Sequence, residues 1–101
     1  VKVSATEQNL REILTRTQAA GPKILLLGVR IPPSMGPDYS EAFAGIYTGL
    51  AQELEVELVP FFMQGVAGVP ALNLPDQLHP TAEGHELIAS NVAAGLSKLL
   101  E

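Results

Sequence analysis

The chain has 101 residues, of which 47% are hydrophobic and 17% are charged, and its formal net charge is −5. This length suits one small domain, and the apolar content excludes a disordered tail. Its six basic residues are scattered, so a nucleic-acid partner is not expected. The absence of cysteine excludes a disulfide scaffold and a Cys-ligated zinc site, and no apolar run is long enough to predict a transmembrane segment.

The first half of the chain predicts a helix followed by a strand. Ser4 and Glu7 have the spacing of a capping box, and Gly21-Pro22 ends the helix. Its packed face is predicted from helical spacing to contain Leu10, Ile13, Leu14 and Thr17. Residues 24–29 are continuously apolar, which is typical of a parallel strand covered on both faces.

The second half predicts a helix, a strand and a final helix. After a Pro- and Gly-rich loop at 30–37, Asp38 and Glu41 have capping-box spacing. Residues 56–60 form the second predicted strand, and 61–75 a loop. The last helix is predicted to begin near Pro80-Thr81 and to run towards Leu100. The predicted apolar faces of these two helices are Phe43, Ile46, Tyr47, Leu50 and Leu54, and then Ile88, Val92, Leu96 and Leu99.

This alternating order predicts an α/β fold with a parallel sheet and crossover helices. Two apolar strands are too few for a stable sheet, because unpaired edge groups and apolar faces need cover. Further strands are therefore expected from a missing segment or from a second chain. The first residue is Val1, so an upstream segment is one source for them.

The loop before the last helix carries the clearest chemical signal, with Asp76 three residues before His79 and Pro80 directly after it. At this spacing the carboxylate can turn back onto one ring nitrogen, which fixes the tautomer of a general base. The loop follows a strand, at the sheet edge where open α/β sheets bind ligands. Spacing alone leaves a second interpretation open, in which Asp76 caps the turn and His79 is a partly buried, satisfied histidine.

Asp76-Gln77-Leu78-His79-Pro80, with Gly84 after it, resembles the C-terminal block of the SGNH, or GDSL, hydrolases. Three further segments resemble the same family, in the thioesterase I, lysophospholipase and arylesterase group: 28–33, 39–43 and 59–63. The resemblance covers essentially the whole chain, with one departure at Gln77, where many members have Gly. It implies that the chain, 1–101, is the C-terminal portion of one flavodoxin-like three-layer α/β/α domain, incomplete without an upstream segment.

The resemblance further implies a carboxylic ester hydrolase with a Ser-His-Asp triad, acting on small esters, thioesters or lysophospholipids. Asp76 and His79 are the expected catalytic residues, and Arg30, Ile31 and Pro32 are expected to bind substrate. The family's G-D-S and G-x-N-D blocks, which hold the serine and oxyanion donors, are absent from this sequence. The chain alone is therefore expected to be inactive, with its serine supplied by an N-terminal segment, as a separate chain or a missing part.

Other interpretations stay open for some of these residues. Arg30 is equally well explained as a salt-bridge partner of an acidic residue. His85 and His79 are six residues apart and do not share a helical face, so no metal site is expected, and the family needs no cofactor. The family is often periplasmic or secreted, although this chain contains no signal. The alternative function is a non-catalytic α/β partner-binding module.

Overall fold

Three helices alternate with two parallel strands in the computed structural model, which describes residues 2–101 except for the side chain of Pro33. The molecule is a thin plate with extents of 41 × 34 × 16 Å. Its elements are, in chain order, α1 (Val3–Ala20), β1 (Leu25–Leu27), α2 (Pro37–Leu54), β2 (Glu57–Val59) and α3 (Ala82–Leu99), with short 3₁₀ turns at Pro33–Met35 and Pro70–Leu72.

The two strands form a parallel ladder in which Leu26 lies opposite Leu58. Two further bonds follow it: the Gly28 N–H donates to the Val59 carbonyl at 2.7 Å, and the Phe62 N–H donates to the Gly28 carbonyl at 3.2 Å. Both strands are shorter than predicted from 24–29 and 56–60. The regular pairing ends at Pro60, whose carbonyl lies too close to Gly28 for any larger residue there.

Helices cover both faces of the sheet, which confirms the predicted α/β/α layers. On one face, α1 and α2 pack on β1 through a buried cluster of Leu14, Leu26, Ile46, Leu50 and Ala51. On the other face, α3 approaches so closely that a Cβ at Gly95 would collide with the side chain of Val59. The sheet is therefore the middle layer, and the loops at its carboxyl end lie along one rim.

Both predicted capping boxes are wrong. The N-cap of α1 is Lys2, whose side chain makes no cap hydrogen bond, and that of α2 is Gly36, which has no side chain to do so. Helix α2 begins at Pro37, whose fixed φ suits the first helical position, so Asp38 lies inside the first turn. In α1, Val3 packs against the core and is itself helical, which leaves Ser4 inside the helix.

The predicted packed faces are correct except at two positions. Ile13 is 60% exposed and Leu96 is 45% exposed. In α3, the close approach to the sheet places Gly95, and not its neighbour Leu96, in contact with β1 and β2. In α1, the contact runs through Leu10 and Leu14, and Ile13 lies beside it. No helix in residues 2–101 is long and apolar enough to cross a membrane.

Candidate active site

The loop between β2 and α3 is closed at its base by backbone hydrogen bonds. The Leu74 N–H donates to the His79 carbonyl at 2.8 Å, and Asn73 and Pro80 form an antiparallel bridge. One residue further out, the Thr81 N–H donates to the Leu72 carbonyl at 2.9 Å. We call residues 74–79 the dyad loop, because it holds Asp76 and His79.

Asp76 and His79 are in direct contact, since the His79 Nδ1 lies 2.7 Å from the Asp76 Oδ2. The other carboxylate oxygen, Oδ1, accepts from the backbone N–H groups of Leu78 at 2.9 Å and His79 at 3.1 Å. The Leu78 N–H, and after it the His79 ring and backbone, lower the pKa of Asp76 from its usual 3.8 to about 2. Asp76 is therefore ionised near neutral pH and can only accept, so Nδ1 must carry the ring proton.

This tautomer leaves the Nε2 of His79 as the acceptor, on the opposite side of the ring from Asp76. The His79 side chain is 72% exposed and that of Asp76 is 44% exposed. Within residues 2–101, His79 is therefore exposed and not partly buried as the second interpretation supposes. Asp76 also closes the turn, as the second interpretation requires. The two roles use different oxygens of the carboxylate, Oδ1 for the turn and Oδ2 for the contact with His79.

The start of α3 supports the dyad loop from below. The Thr81 Oγ1 caps the helix by accepting from the Gly84 N–H at 3.2 Å. Gly84 is buried, and a Cβ there would collide with the Leu72 carbonyl and with Pro80. The close approach of α3 to the loop base thus requires glycine at position 84.

Gly84→Ala is expected to lower the free energy of unfolding by about 1–3 kcal/mol, because the backbone of the loop base must move away. Gly45 is the matched control, since it also lies in a helix but has nothing within 4 Å of a built Cβ. Gly45→Ala should raise the stability by about 0.5–1 kcal/mol through helix propensity. Urea unfolding followed by circular dichroism measures both, and equal effects would contradict the proposed close packing.

Gln77, the departure from the family pattern, has a left-handed backbone with φ 57°. Its side-chain Nε2 donates to the Leu74 carbonyl at 3.0 Å, beside the backbone bond from its own N–H to the same oxygen at 2.8 Å. The turn thus needs the conformation that glycine adopts most easily, and Gln77 adopts it with this local support.

Gln77→Gly is expected to keep the stability within about 1 kcal/mol of the parent, because relief of backbone strain offsets the extra freedom of the unfolded chain. Gln77→Val should cost about 1–2 kcal/mol, since a β-branched residue is a true outlier at positive φ. Urea unfolding of the three proteins decides this, and a Val variant as stable as the Gly variant would argue against the strained turn.

The three predicted substrate-binding residues, Arg30, Ile31 and Pro32, line a groove of about 410 Å³, together with Ser40, Phe61, Ala67 and Gly68. The Arg30 guanidinium lies over the Phe61 ring, 5.1 Å from its centroid. The Ser40 hydroxyl donates to the Ile31 carbonyl at 2.7 Å and fixes that part of the loop. Asp76 and His79 do not line this groove.

Arg30 makes no ion pair within the part of the chain that the structure describes, and its contact with Phe61 is a cation–π interaction. The salt-bridge alternative for Arg30 is therefore not what the structure shows. His85 lies on the exposed side of α3, and residues 2–101 contain no group of three side chains that could hold a metal ion.

Two asparagines that hold loop backbone were not identified from the sequence, because the periodicity of apolar residues does not mark polar ones. The Asn73 Nδ2 donates to the carbonyls of Val66 and Val69, both at 2.9 Å. The Asn91 Nδ2 donates to those of Phe62 at 3.0 Å and Gln64 at 2.9 Å. Both side chains bind backbone carbonyls of the loop after β2, and only the position of Asn73 next to the dyad loop could have drawn notice to it.

Comparison with known proteins identifies the family. The model of the GDSL-like lipase/acylhydrolase family matches residues 1–87. Esterase TesA of Pseudomonas aeruginosa is 39% identical over 93% of this chain and 47% of its own length. Thioesterase 1/protease 1/lysophospholipase L1 of Escherichia coli K12 is 41% identical over 94% of this chain and 46% of its own length.

A solved structure shows the same fold. The crystal structure of the psychrotrophic esterase EstA from Pseudoalteromonas sp., inhibited by monoethylphosphonate, superposes with a TM-score of 0.89 at 31% identity, over 98% of this chain and 54% of that one. The chain spans about half the length of the relatives it matches. The likeness covers nearly all of the described fold, and the chain therefore belongs to the GDSL-like lipase/acylhydrolase family of SGNH hydrolases.

Proposed function

We propose that this chain supplies the Asp and His of a Ser-His-Asp triad in a carboxylic ester hydrolase. The observation that carries the proposal is the 2.7 Å contact between the His79 Nδ1 and the Asp76 Oδ2, on a loop at the carboxyl end of the sheet. The serine attacks the ester carbonyl, and the Nε2 of His79 takes its proton. Asp76 stabilises the imidazolium, which then protonates the leaving alcohol or thiol, and water hydrolyses the acyl-enzyme.

The serine and the oxyanion donors come, in this proposal, from an N-terminal segment of the same protein, as a missing part or as a separate chain. Residues 1–101 are then the C-terminal segment of a single domain. The chain's length, about half that of its relatives, supports this. So does the absence of a G-D-S block from the sequence.

The order of the helices and strands suggests at which edge of the sheet that segment would lie. Helices α1 and α2 pack on the same face, because they share one buried cluster with β1. Crossovers between parallel strands are right-handed in almost all cases. If a parallel strand leads into α1, this handedness puts it on the side of β1 away from β2, which is the free edge of β1. That strand would give the apolar β1 a neighbour on each side.

The groove at Arg30, Ile31 and Pro32 is proposed to bind the substrate, which is a small ester, a thioester or a lysophospholipid. Its apolar walls suit an acyl or alkyl group. The Arg30 guanidinium, stacked on Phe61 and without an acidic partner among residues 2–101, suits a phosphate.

Arg30→Gln in the complete protein is expected to raise the KM for a lysophospholipid about 5- to 10-fold, because a charge-assisted hydrogen bond to the phosphate is lost. The KM for p-nitrophenyl acetate, which has no phosphate, should stay within about twofold. Steady-state assays on both substrates make the comparison. An equal rise for both would assign Arg30 to the shape of the groove and not to phosphate binding.

The proposed function is tested in a fusion protein. The part of P. aeruginosa esterase TesA that precedes its match to this chain is joined in front of residues 2–101. The fusion should hydrolyse p-nitrophenyl butyrate and become labelled by a fluorophosphonate, and the chain alone should do neither. The relative EstA, inhibited by monoethylphosphonate, supports the choice of probe.

The alternative, a non-catalytic partner-binding module, predicts a different result. A fusion that is folded by circular dichroism but neither hydrolyses the ester nor accepts the probe would support it. The same would follow from a fusion whose activity is unchanged in His79→Ala. A periplasmic or secreted location rests on the family resemblance alone, and fractionation of cells that make the complete protein tests it.

A further inference from the structure

We infer that Asn73 is a positioning residue, which sets the place of His79 relative to the serine by anchoring the base of the dyad loop. The inference rests on the proposed function, because it concerns how the Asp76-His79 pair is held for catalysis. The evidence is a continuous set of contacts from the core to this pair. Each contact lies within residues 2–101.

The first step is the burial of Asn73. Asn73 is 8% exposed, and it is the one buried polar residue among residues 2–101. A primary amide has two N–H donors, and Asn73 directs its Nδ2 at two carbonyls, those of Val66 and Val69, at 2.9 Å each. Both carbonyls also accept a backbone N–H, from Val69 at 3.1 Å and from Leu72 at 3.0 Å. The cost of moving this side chain is therefore that its own buried N–H donors would lose their acceptors, so it has one favourable arrangement.

The second step is that Val66 is itself fixed. It is fully buried at 0% exposure, and a Cβ on Gly84 would lie 3.2 Å from its Cγ1. Asn73 therefore ties the loop base to a residue that is held between the 61–69 loop and the start of α3. Besides this link, the loop base is held by backbone bonds, from the Asn73 N–H to the Pro70 carbonyl at 3.3 Å and from the Thr81 N–H to the Leu72 carbonyl at 2.9 Å.

The third step runs from Asn73 to His79. Asn73 pairs with Pro80, and the residues next inside that bridge, Leu74 and His79, are joined by a 2.8 Å hydrogen bond from N–H to carbonyl. A shift of Asn73 is therefore passed to the backbone of His79. The Asp76–His79 contact itself is local to the loop, so it moves as a unit with the loop. The expected effect is on the distance from His79 to the serine, and a displacement of about 1 Å can cost as much as 100-fold in rate.

Asn91 is a matched control within the same chain. It also directs its Nδ2 at two backbone carbonyls, at 3.0 and 2.9 Å, but these belong to Phe62 and Gln64, outside the dyad loop. Asn73→Leu and Asn91→Leu both remove two donors and leave side chains of similar size. Both should lower the melting temperature, and the two variants should differ in catalysis.

The test is made on the complete protein with p-nitrophenyl butyrate. Asn73→Leu should lower kcat about 10- to 100-fold with KM within about twofold, and Asn91→Leu should keep kcat within about twofold. In proton NMR the hydrogen-bonded Nδ1–H of His79 should remain in both, because the pair moves as a unit. If Asn73→Leu does not fold, Asn73→Ser, which keeps one donor, should show a smaller fall in kcat at unchanged KM.

An Asn73 variant that melts earlier but keeps the parent kcat overturns the inference and leaves Asn73 a purely structural residue. Equal falls in kcat for the Asn73 and Asn91 variants would also overturn it. Failure of the proposed function gives a different result, since then His79→Ala retains activity in the same assay.

Discussion

His79→Ala is expected to lower kcat of the complete protein by about 10⁴- to 10⁶-fold, with KM for p-nitrophenyl butyrate within a few-fold of the parent. The imidazole is the proposed acceptor of the serine proton and the later donor to the leaving group. Among residues 2–101, no side chain other than that of His79 contacts the Asp76 carboxylate and could replace it as the base. Removal of the ring should leave the fold intact, because the side chain is 72% exposed. Steady-state kinetics and circular dichroism measure the two effects.

The control for this prediction is His85→Ala. His85 is the second of the two histidines in the chain, and it lies on the exposed side of α3. Its removal should leave kcat within about twofold. Near-normal turnover in the His79 variant, or an equal loss of turnover in both variants, would mean that His79 is not the catalytic base.

The sequence was sufficient to predict the order of the elements and the sides on which they pack. Helical spacing predicted the buried Ile46 and Leu50 of α2, since an apolar stripe at this period must face a core. The ends of the elements were less predictable, because they depend on contacts that are distant in sequence. Capping-box spacing at Asp38 is a local signal, and the choice of Pro37 as the first helical residue prevailed over it.

Gly95 shows the same limit in the packing of α3. A periodic apolar pattern marks Leu96 for the sheet, but the distance between α3 and β2 is set by the missing side chain at Gly95. Close approaches of this kind need knowledge of both partners. A glycine in a helix indicates such a close approach only when the element that packs against it is known.

In the site, the contact of Asp76 with His79 was predictable from local spacing, whereas the groove residues near 30 were predicted only through the family resemblance. Asp76 and His79 are three residues apart, so their contact follows from the turn itself, with Gln77 in the left-handed region. The groove joins residues near 30 with residues near 61 and 68, which only the parallel pairing of β1 with β2 brings together. The role of Asn73 depends on Val66 and Val69, and no spacing rule connects these positions.

Asp76→Asn is expected to lower kcat of the complete protein about 10³- to 10⁴-fold, through the tautomer of His79. The backbone N–H groups of Leu78 and His79 hold Oδ1, so the carbonyl oxygen of an asparagine should occupy that position. Its NH₂ group is then forced to face Nδ1, where the carboxylate oxygen lies 2.7 Å away in the parent. Nδ1 must accept, and the ring proton moves to Nε2, the nitrogen that should receive the serine proton.

Two measurements separate this cause from a general loss of structure. Nitrogen NMR of His79 should show the proton on Nδ1 in the parent and on Nε2 in the variant, with little change in melting temperature. Asp38→Asn makes the same substitution at an exposed site in α2 and should keep kcat within about twofold. A variant with the parent tautomer and a full loss of activity would show that the negative charge of Asp76, and not its control of the tautomer, carries the effect. Because the pKa of Asp76 is about 2, that charge is present at every pH at which the ester assay is practical.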